Sequence, residues 1–310
     1  MTSDLPDLAA ALRPLLPSPL QSVRDERFER HGVGLLLKRD DLIHPDLPGN
    51  KWRKLAPNLR AARGRPVLTF GGAYSNHLRA TAAAGRLLGF PTVGVVRGDE
   101  LADRPLNPSL SRCAADGMRL VFADRAAYRA KHEPAVLARF VAESGAEDVY
   151  VVPEGGSNAP AARGCAELGA ELRDDPAGVG AAAVACGTGG TLAGLAAGLG
   201  PGRRALGVAV LRGSFLGGEV RALQQAAFGG RAGDWSVEDR FHFGGYARGG
   251  PELDAFAADF EDRHGLPVER VYVAKLLYAL SVLAAEGAFP RGTALAAVIT
   301  GRPDGPPPAP

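Results

Sequence analysis

Lysine is scarce in this chain. Of 36 basic residues only five are lysines, Lys38, Lys51, Lys54, Lys131 and Lys275, and two of them share the segment GNKWRK at 49–54. Arginine supplies the remaining positive charge, but a guanidinium stays protonated, whereas a partly buried lysine can lose its proton and act as an amine nucleophile. A lysine that follows a Gly-Asn turn and works near a phosphate site suggests a Schiff base with a carbonyl cofactor. The plainer reading is a surface lysine at a helix start. Lys54, one helical turn on, reads as solvated or as an electrostatic aid to that turn.

Three glycine-rich loops offer partners for such an amine. In CGTGGTLAGL (186–195) an apolar strand runs into small residues and then a helix, so successive N–H groups, the helix dipole and the hydroxyls of Thr188 and Thr191 can cradle one phosphate. A tight turn for helix–sheet packing is the alternative. A dinucleotide fingerprint needs a third glycine where Leu192 stands, and a Walker loop needs a lysine after the glycines. In FGGAYSNHLRATAAAG (70–85), Tyr74, Ser75, Asn76 and His77 crowd one helix start. That is more than a cap requires, and it suits a carboxylate or phenolate oxygen. The third loop, PEGGSNAPAARG (153–164), is a weaker signal, because Ser157 and Asn158 also serve as ordinary helix caps.

Those loops need strands and helices to hold them. Apolar runs bounded by glycine or proline recur: GLLLKRDD, PVLTFGG, TVGVVRG, RLVFA, VYVVPEGG, AAAVACG, ALGVAVLRG and ALAAVITG. These read as buried strands. Helical segments are expected at 75–88, 108–116, 126–143, 159–172, 191–199 and 219–227. After 230 come a strand-like FHFGGY, helices near 251–264 and 274–286, and a last strand. Strands alternating with helices give an α/β fold with mostly parallel sheets. The tail RPDGPPPAP, about 303–310, is expected to be disordered, since proline removes donors and fixes φ.

Composition narrows the function class. A chain of 310 residues, 46% hydrophobic and 23% charged, is globular in proportion. Its 36 basic and 34 acidic residues leave a formal charge of +2, without a basic stripe to follow a nucleic-acid backbone. Cys113, Cys165 and Cys186 show no metal-ligand spacing and read as small buried residues in a reducing compartment. The first twenty residues lack a signal-peptide pattern, which points to a cytoplasmic protein. The uncharged stretch 181–200 is long enough to span a bilayer, but its Ala/Gly content and central Gly-Thr-Gly-Gly-Thr break fit a strand, a loop and a helix.

Taken together, KRDDLIHPDLPGNKWRKL, GGAYSNHLRATAAAG, PEGGSNAPAARG, CGTGGTLAG, FHFGGYA and VYVAKLLYAL resemble the family of 1-aminocyclopropane-1-carboxylate deaminases and D-cysteine desulfhydrases. The likeness runs from about 15 to 301. It implies a tryptophan synthase β-like architecture, the fold type II of pyridoxal-phosphate enzymes, with two open, mostly parallel sheets flanked by helices. A large cofactor-binding domain would combine 1–49 with 164–310, and a small α/β domain would occupy 50–163. The cofactor implied is pyridoxal 5'-phosphate. Lys51 would bond its aldehyde, Asn76 its phenolate oxygen, and the loop of Gly187, Thr188, Gly189, Gly190 and Thr191 its phosphate. Thr300 would face the pyridine nitrogen. Ser75, Tyr246 and Tyr272 would line the substrate side. A small amino acid would be the substrate, and a homodimer the assembly.

Two departures bear on the reaction. The deaminases carry an acid directly after the second tyrosine, where this chain has Val273. The family's ending resembles His-Thr-Gly-Gly, where this chain reads Ile299, Thr300, Gly301 and Arg302, which bears on the pyridine edge. The expectation is therefore β-elimination from D-cysteine or a similar β-substituted D-amino acid. The alternatives are deamination of the cyclopropane amino acid and a relative that binds without turnover.

Overall fold

The apolar runs sort into two sheets. The computed structural model describes residues 8–47 and 49–303. Along the chain its elements are α1 (Leu8–Leu12), β1 (Leu20–Val23), α2 (Glu26–Glu29), β2 (Gly34–Lys38), α3 (Lys51–Ala62), β3 (Val67–Gly71), α4 (Asn76–Leu88), β4 (Thr92–Arg97), α5 (Pro108–Ala115), β5 (Arg119–Ala123), α6 (Arg125–Arg129), α7 (Pro134–Glu143) and β6 (Tyr150–Val152). There follow α8 (Ala159–Asp174), β7 (Ala181–Cys186), α9 (Gly190–Leu199), β8 (Arg204–Ala209), α10 (Leu216–Phe228), β9 (Asp234–Glu238), α11 (Pro251–His264), α12 (Val273–Ala285) and β10 (Ala294–Val298).

The larger sheet has the order β1-β2-β10-β7-β8-β9 and is parallel except for β1. The smaller, β5-β4-β3-β6, is wholly parallel. Every residue of β3 and β7 is buried, as expected of strands covered by helices on both faces. Because β10 lies between β2 and β7, the loops that follow β7 and β10 leave the carboxyl edge of the sheet side by side. Ligands of open α/β sheets sit at such an edge.

Several expectations need correction. The helix expected over 126–143 is two helices, because Pro134 opens a new one at its first position. FHFGGY is a turn rather than a strand, with positive φ at Phe243, Gly244, Gly245 and Ala247. Buried Lys275 of α12 holds it by donating to the carbonyls of His242 and Gly245, both at 2.8 Å. The strand that follows 230 is instead DWSVE, β9, at the edge of the larger sheet and without a long apolar run. The stretch 181–200 is, as expected, β7, a loop and α9, and no helix among the described residues is long and apolar enough to cross a membrane. Residues on both sides of 163 belong to one helix, α8, which packs on α3 and α9. The tail at 304–310 lies outside the described residues.

What seats α3 is a buried ion cluster. The Arg53 guanidinium, 1% exposed, donates to both oxygens of Asp40 at 2.8 Å and both of Glu171 at 2.9 Å. Lys38 reaches Glu171 at 2.6 Å, so two cations face two carboxylates. Asp40 follows β2 and Glu171 belongs to α8, so the cluster ties α3 to the larger sheet's edge and to its neighbouring helix. One residue before α3, a Cβ on Gly49 would stand 1.6 Å from the Thr300 carbonyl oxygen, and Gly49 has φ +63°. Only glycine fits there. Replacing Arg53 by Met leaves buried Asp40 without a cationic partner among the described residues, while Glu171 keeps Lys38, and breaking such a cluster costs about 3–5 kcal/mol. Urea unfolding of R53M should show that loss, and an unchanged midpoint would contradict it.

Candidate functional site

One cavity of about 520 Å³ opens between the carboxyl edges of the two sheets. Its wall includes Lys51, Ser75, Asn76, Gly187, Thr188, Gly189, Thr191, Tyr246, Tyr272 and Thr300. Gly190 stands behind the loop as the first residue of α9. Residues named from separate stretches of the sequence thus converge. Tyr74, singled out beside Ser75, is 63% exposed and is not part of the wall.

Lys51 is the first residue of α3. Its ammonium is pushed down to about 7, chiefly by burial and then by the neighbouring charge of Lys54. Its amine donates to Asn50 Oδ1 at 3.2 Å, and Asn50 Nδ2 donates to Thr191 Oγ1 at 3.0 Å. Asn50 therefore bridges the amine to the glycine loop, a role its place in the turn did not disclose.

The loop 187–191 has the geometry that could hold an anion. It ends at the N-terminus of ten-residue α9, where unpaired N–H groups and the helix dipole favour negative charge. A Cβ on Gly190 would lie 2.7 Å from Ser157 Oγ, so a side chain there would close the site. Ser157 bonds Thr188 Oγ1 at 2.6 Å, and the loop after β6 thereby completes the cradle from the other side. The sequence underrated that loop, because a Ser-Asn pair before a helix looks like a cap. Asn158 is one, accepting from the Ala161 N–H at 3.0 Å.

Lys54 is not solvated. It is 4% exposed, and its ammonium donates to the Gly155 carbonyl at 3.1 Å and to Ser157 Oγ at 3.2 Å. Both partners are neutral, and no carboxylate pairs with it among the described residues. Burial lowers its pKa, as it must for a cation without a counter-ion. Beside a helix N-terminus, a phosphate could supply the missing charge.

On the opposite wall Ser75 caps α4, its Oγ accepting from the Leu78 N–H at 3.3 Å. Its hydroxyl proton stays available for an incoming carboxylate. His77 next door is fixed in one tautomer: Thr69 donates to the Val152 carbonyl at 2.8 Å and so accepts from His77 Nε2 at 2.8 Å. Nδ1 is left bare, buried and without a partner among the described residues. Burial first, then the charges of Lys51 and Lys54, holds the ring well below its ordinary pKa and neutral.

Tyr246 and Tyr272 meet edge to face, with ring centroids 6.2 Å apart. Burial raises the pKa of both, so both remain neutral phenols. The Glu269 carboxylate lines the cavity and accepts from the N–H groups of Val271, Tyr272 and Val273 at 2.6, 2.7 and 3.3 Å, which fixes the start of α12. Sequence spacing alone did not mark it. Val273 is buried in the core, and so is Ile299. Arg302 turns to Asp41 at 2.8 Å. Neither Ile299 nor Arg302 reaches the cavity, whose edge here is Thr300 and Gly301.

The profile of one family, described as pyridoxal-phosphate dependent enzymes, matches residues 12–301. The chain belongs to that family. A Thermotoga maritima protein provisionally named 1-aminocyclopropane-1-carboxylate deaminase is 36% identical over 190 residues, 60% of each chain. A D-cysteine desulfhydrase of Yersinia pestis is 35% identical over 182 residues, 54% of this chain and 53% of the relative. The match thus spans little more than half the length of these two relatives. A solved structure described as an ACC deaminase homologue superposes with a TM-score of 0.78 at 27% identity, covering 96% of this chain and 94% of that one. The α/β architecture of a fold type II pyridoxal-phosphate enzyme expected from the sequence is the one observed.

Pyridoxal phosphate fits the donor set of this family member on two observations: the uncompensated cation of Lys54 beside a helix N-terminus, and an amine that is largely unprotonated just above neutrality. In cofactor-free protein, labelling of Lys51 by an amine-directed reagent, followed peptide by peptide in a mass spectrometer, should rise through a midpoint near pH 7. A midpoint near that of a free lysine, about 10.4, would contradict the site's electrostatics.

Proposed function

We propose that this chain is a pyridoxal-phosphate-dependent lyase that eliminates the β-substituent of a small amino acid, with D-cysteine or a similar β-substituted D-amino acid as substrate. The observation that carries the reading is the near-neutral Lys51 amine facing Ser75 and the tyrosine pair across one cavity. When bound, the cofactor supplies an aldehyde that takes up an amino group and a ring that draws electrons from the α-carbon.

The chain's own groups do the rest. Gly187, Thr188, Gly189, Gly190, Thr191 and Lys54 would hold the phosphate, and Asn76 the phenolate oxygen. Ser75 and the first N–H groups of α4 would take the substrate carboxylate, an orienting and electrostatic role. Lys51, once free, is a base of suitable strength for the α-proton near neutrality. Tyr246 and Tyr272, as neutral phenols, can donate to the departing group. Thr300 would offer the cofactor a hydroxyl in place of a carboxylate, which would favour a mostly unprotonated ring nitrogen and elimination from the β-carbon. For D-cysteine the balance is one water consumed and pyruvate, ammonia and sulfide released.

Val273 supports elimination over ring opening, since no acid follows the second tyrosine and the side chain there is core. Glu269 is the observation that favours the cyclopropane deaminase as a second reading, because its carboxylate does line the cavity. Its oxygens are engaged by α12, which speaks for a positioning role instead. The reading without turnover loses its motive, as Ile299 and Arg302 lie away from the cavity. The domain division at 1–49 with 164–310 and 50–163, a cytoplasmic location and a homodimeric assembly belong to the same proposal. The two separate sheets support the division.

Purified protein loaded with pyridoxal phosphate should release pyruvate from D-cysteine, and Lys51→Ala should lower the rate at least about 1,000-fold, in line with losing both nucleophile and base. Release of 2-oxobutyrate from the cyclopropane substrate alone would overturn the choice of reaction.

A further inference from the structure

The cavity wall contains a cation, Arg97, whose side chain no carboxylate pairs among the described residues. Arg97 ends β4 and follows Val96, which pairs with Gly71 of β3, so it stands level with Gly72 at the carboxyl edge of the smaller sheet. Its Nη2 lies 3.9 Å from the place a Cβ on Gly72 would occupy, at the loop that leads to Ser75. The side chain lines the same cavity as Lys51, Ser75 and Tyr246. β4 is otherwise buried, and Arg97 alone of its residues is exposed.

The acidic groups around it are committed elsewhere. Glu154, on the same wall, pairs with Lys131 at 3.1 Å. Glu100, three residues on, accepts from Arg125 at 2.8 Å. Glu269 receives the N–H groups at the start of α12. The Arg97 side chain has no hydrogen bond or ion pair among the described residues. His132, exposed, borders the same space. The Arg97 charge is nevertheless felt at the Tyr246 hydroxyl, which it acts to acidify. The guanidinium therefore lines the cavity beside the loop that leads to Ser75 and within electrostatic reach of Tyr246.

We propose that Arg97, which shares the cavity wall with His132, is a subsite for a second anion on the substrate, so that the preferred substrate is a small amino acid whose β-substituent carries negative charge. A guanidinium matches phosphate, sulfate or carboxylate oxygens in bidentate fashion. It would also stabilise a leaving group as the bonding pair departs with it. For a serine phosphate ester the α-proton passes to the chain's base, the Cβ–O bond breaks with its pair going to phosphate, and one water releases ammonia: ester plus water gives pyruvate, ammonia and phosphate. The inference rests on the lyase reading above, and its test separates the two.

Holoenzyme and its Arg97→Gln and Arg97→Lys variants are compared on D-serine O-phosphate, D-serine O-sulfate and the uncharged O-acetyl-D-serine, and binding of inorganic phosphate and of succinate to holoenzyme is measured by calorimetry. The expected result is a kcat/KM ratio of charged to uncharged ester that falls by about 10- to 100-fold in Arg97→Gln, as for a lost charge-assisted hydrogen bond, with partial recovery in Arg97→Lys. Phosphate or succinate binding should weaken in parallel. The ester that loses most identifies the anion. If no amino acid is turned over but anion binding still falls in Arg97→Gln, the lyase reading fails and the subsite stands. If D-cysteine or the acetyl ester is turned over while neither the ratio nor anion binding responds to Arg97, the subsite is overturned. Absence of both turnover and anion binding overturns it as well.

Discussion

The Arg53 guanidinium, locked between Asp40 and Glu171, is the interaction on which the site's geometry depends. It sits two residues after Lys51 and one before Lys54, so the turn that carries both amines cannot shift without breaking buried ion pairs. A cluster of this kind contributes less to net stability than to uniqueness of placement, because its Coulomb energy is spent largely against desolvation. Here the cluster fixes which way α3 points, and therefore where two lysines emerge.

The rest of the segment GNKWRK completes that placement. Gly49 lets the chain run against the Thr300 backbone, Asn50 links the Lys51 amine to Thr191, and Trp52 is buried among Leu47, Leu55 and Leu59. With position settled by packing, the electrostatics follow. Two ammonium groups in one poorly solvated cavity cannot both be charged without cost. Lys54 keeps polar partners at Gly155 and Ser157, Lys51 has one amide oxygen, and Lys51 is pushed to about 7. A phosphate at the cradle would stabilise the charge on Lys54, and it would relieve the repulsion that Lys51 feels.

Much of this was legible in the sequence because it is written in local pattern. Buried parallel strands appear as apolar runs closed by glycine, and the cradle and the Ser75 cap appear as loop chemistry at strand ends. What escaped depends on contacts between distant segments. Lys54 looked solvated because helical periodicity says nothing about Ser157 or Gly155, some hundred residues away. FHFGGY looked like a strand because its aromatic residues mask a turn held by Lys275. Glu269 gave no signal, since an acid three residues before a tyrosine is ordinary until the start of α12 is seen to need it. Ile299 and Arg302 marked a departure from the family pattern, yet they point into the core and toward Asp41, so the change leaves the cavity edge to Thr300.

The central claim is that α3 is seated so that Lys51, and not its neighbour Lys54, is the amine that bonds the cofactor. Borohydride reduction of the protein loaded with pyridoxal phosphate, followed by peptide mapping, tests it directly. The account predicts a single pyridoxyl group on Lys51, whereas modification of Lys54, or of no residue within 49–54, would contradict it.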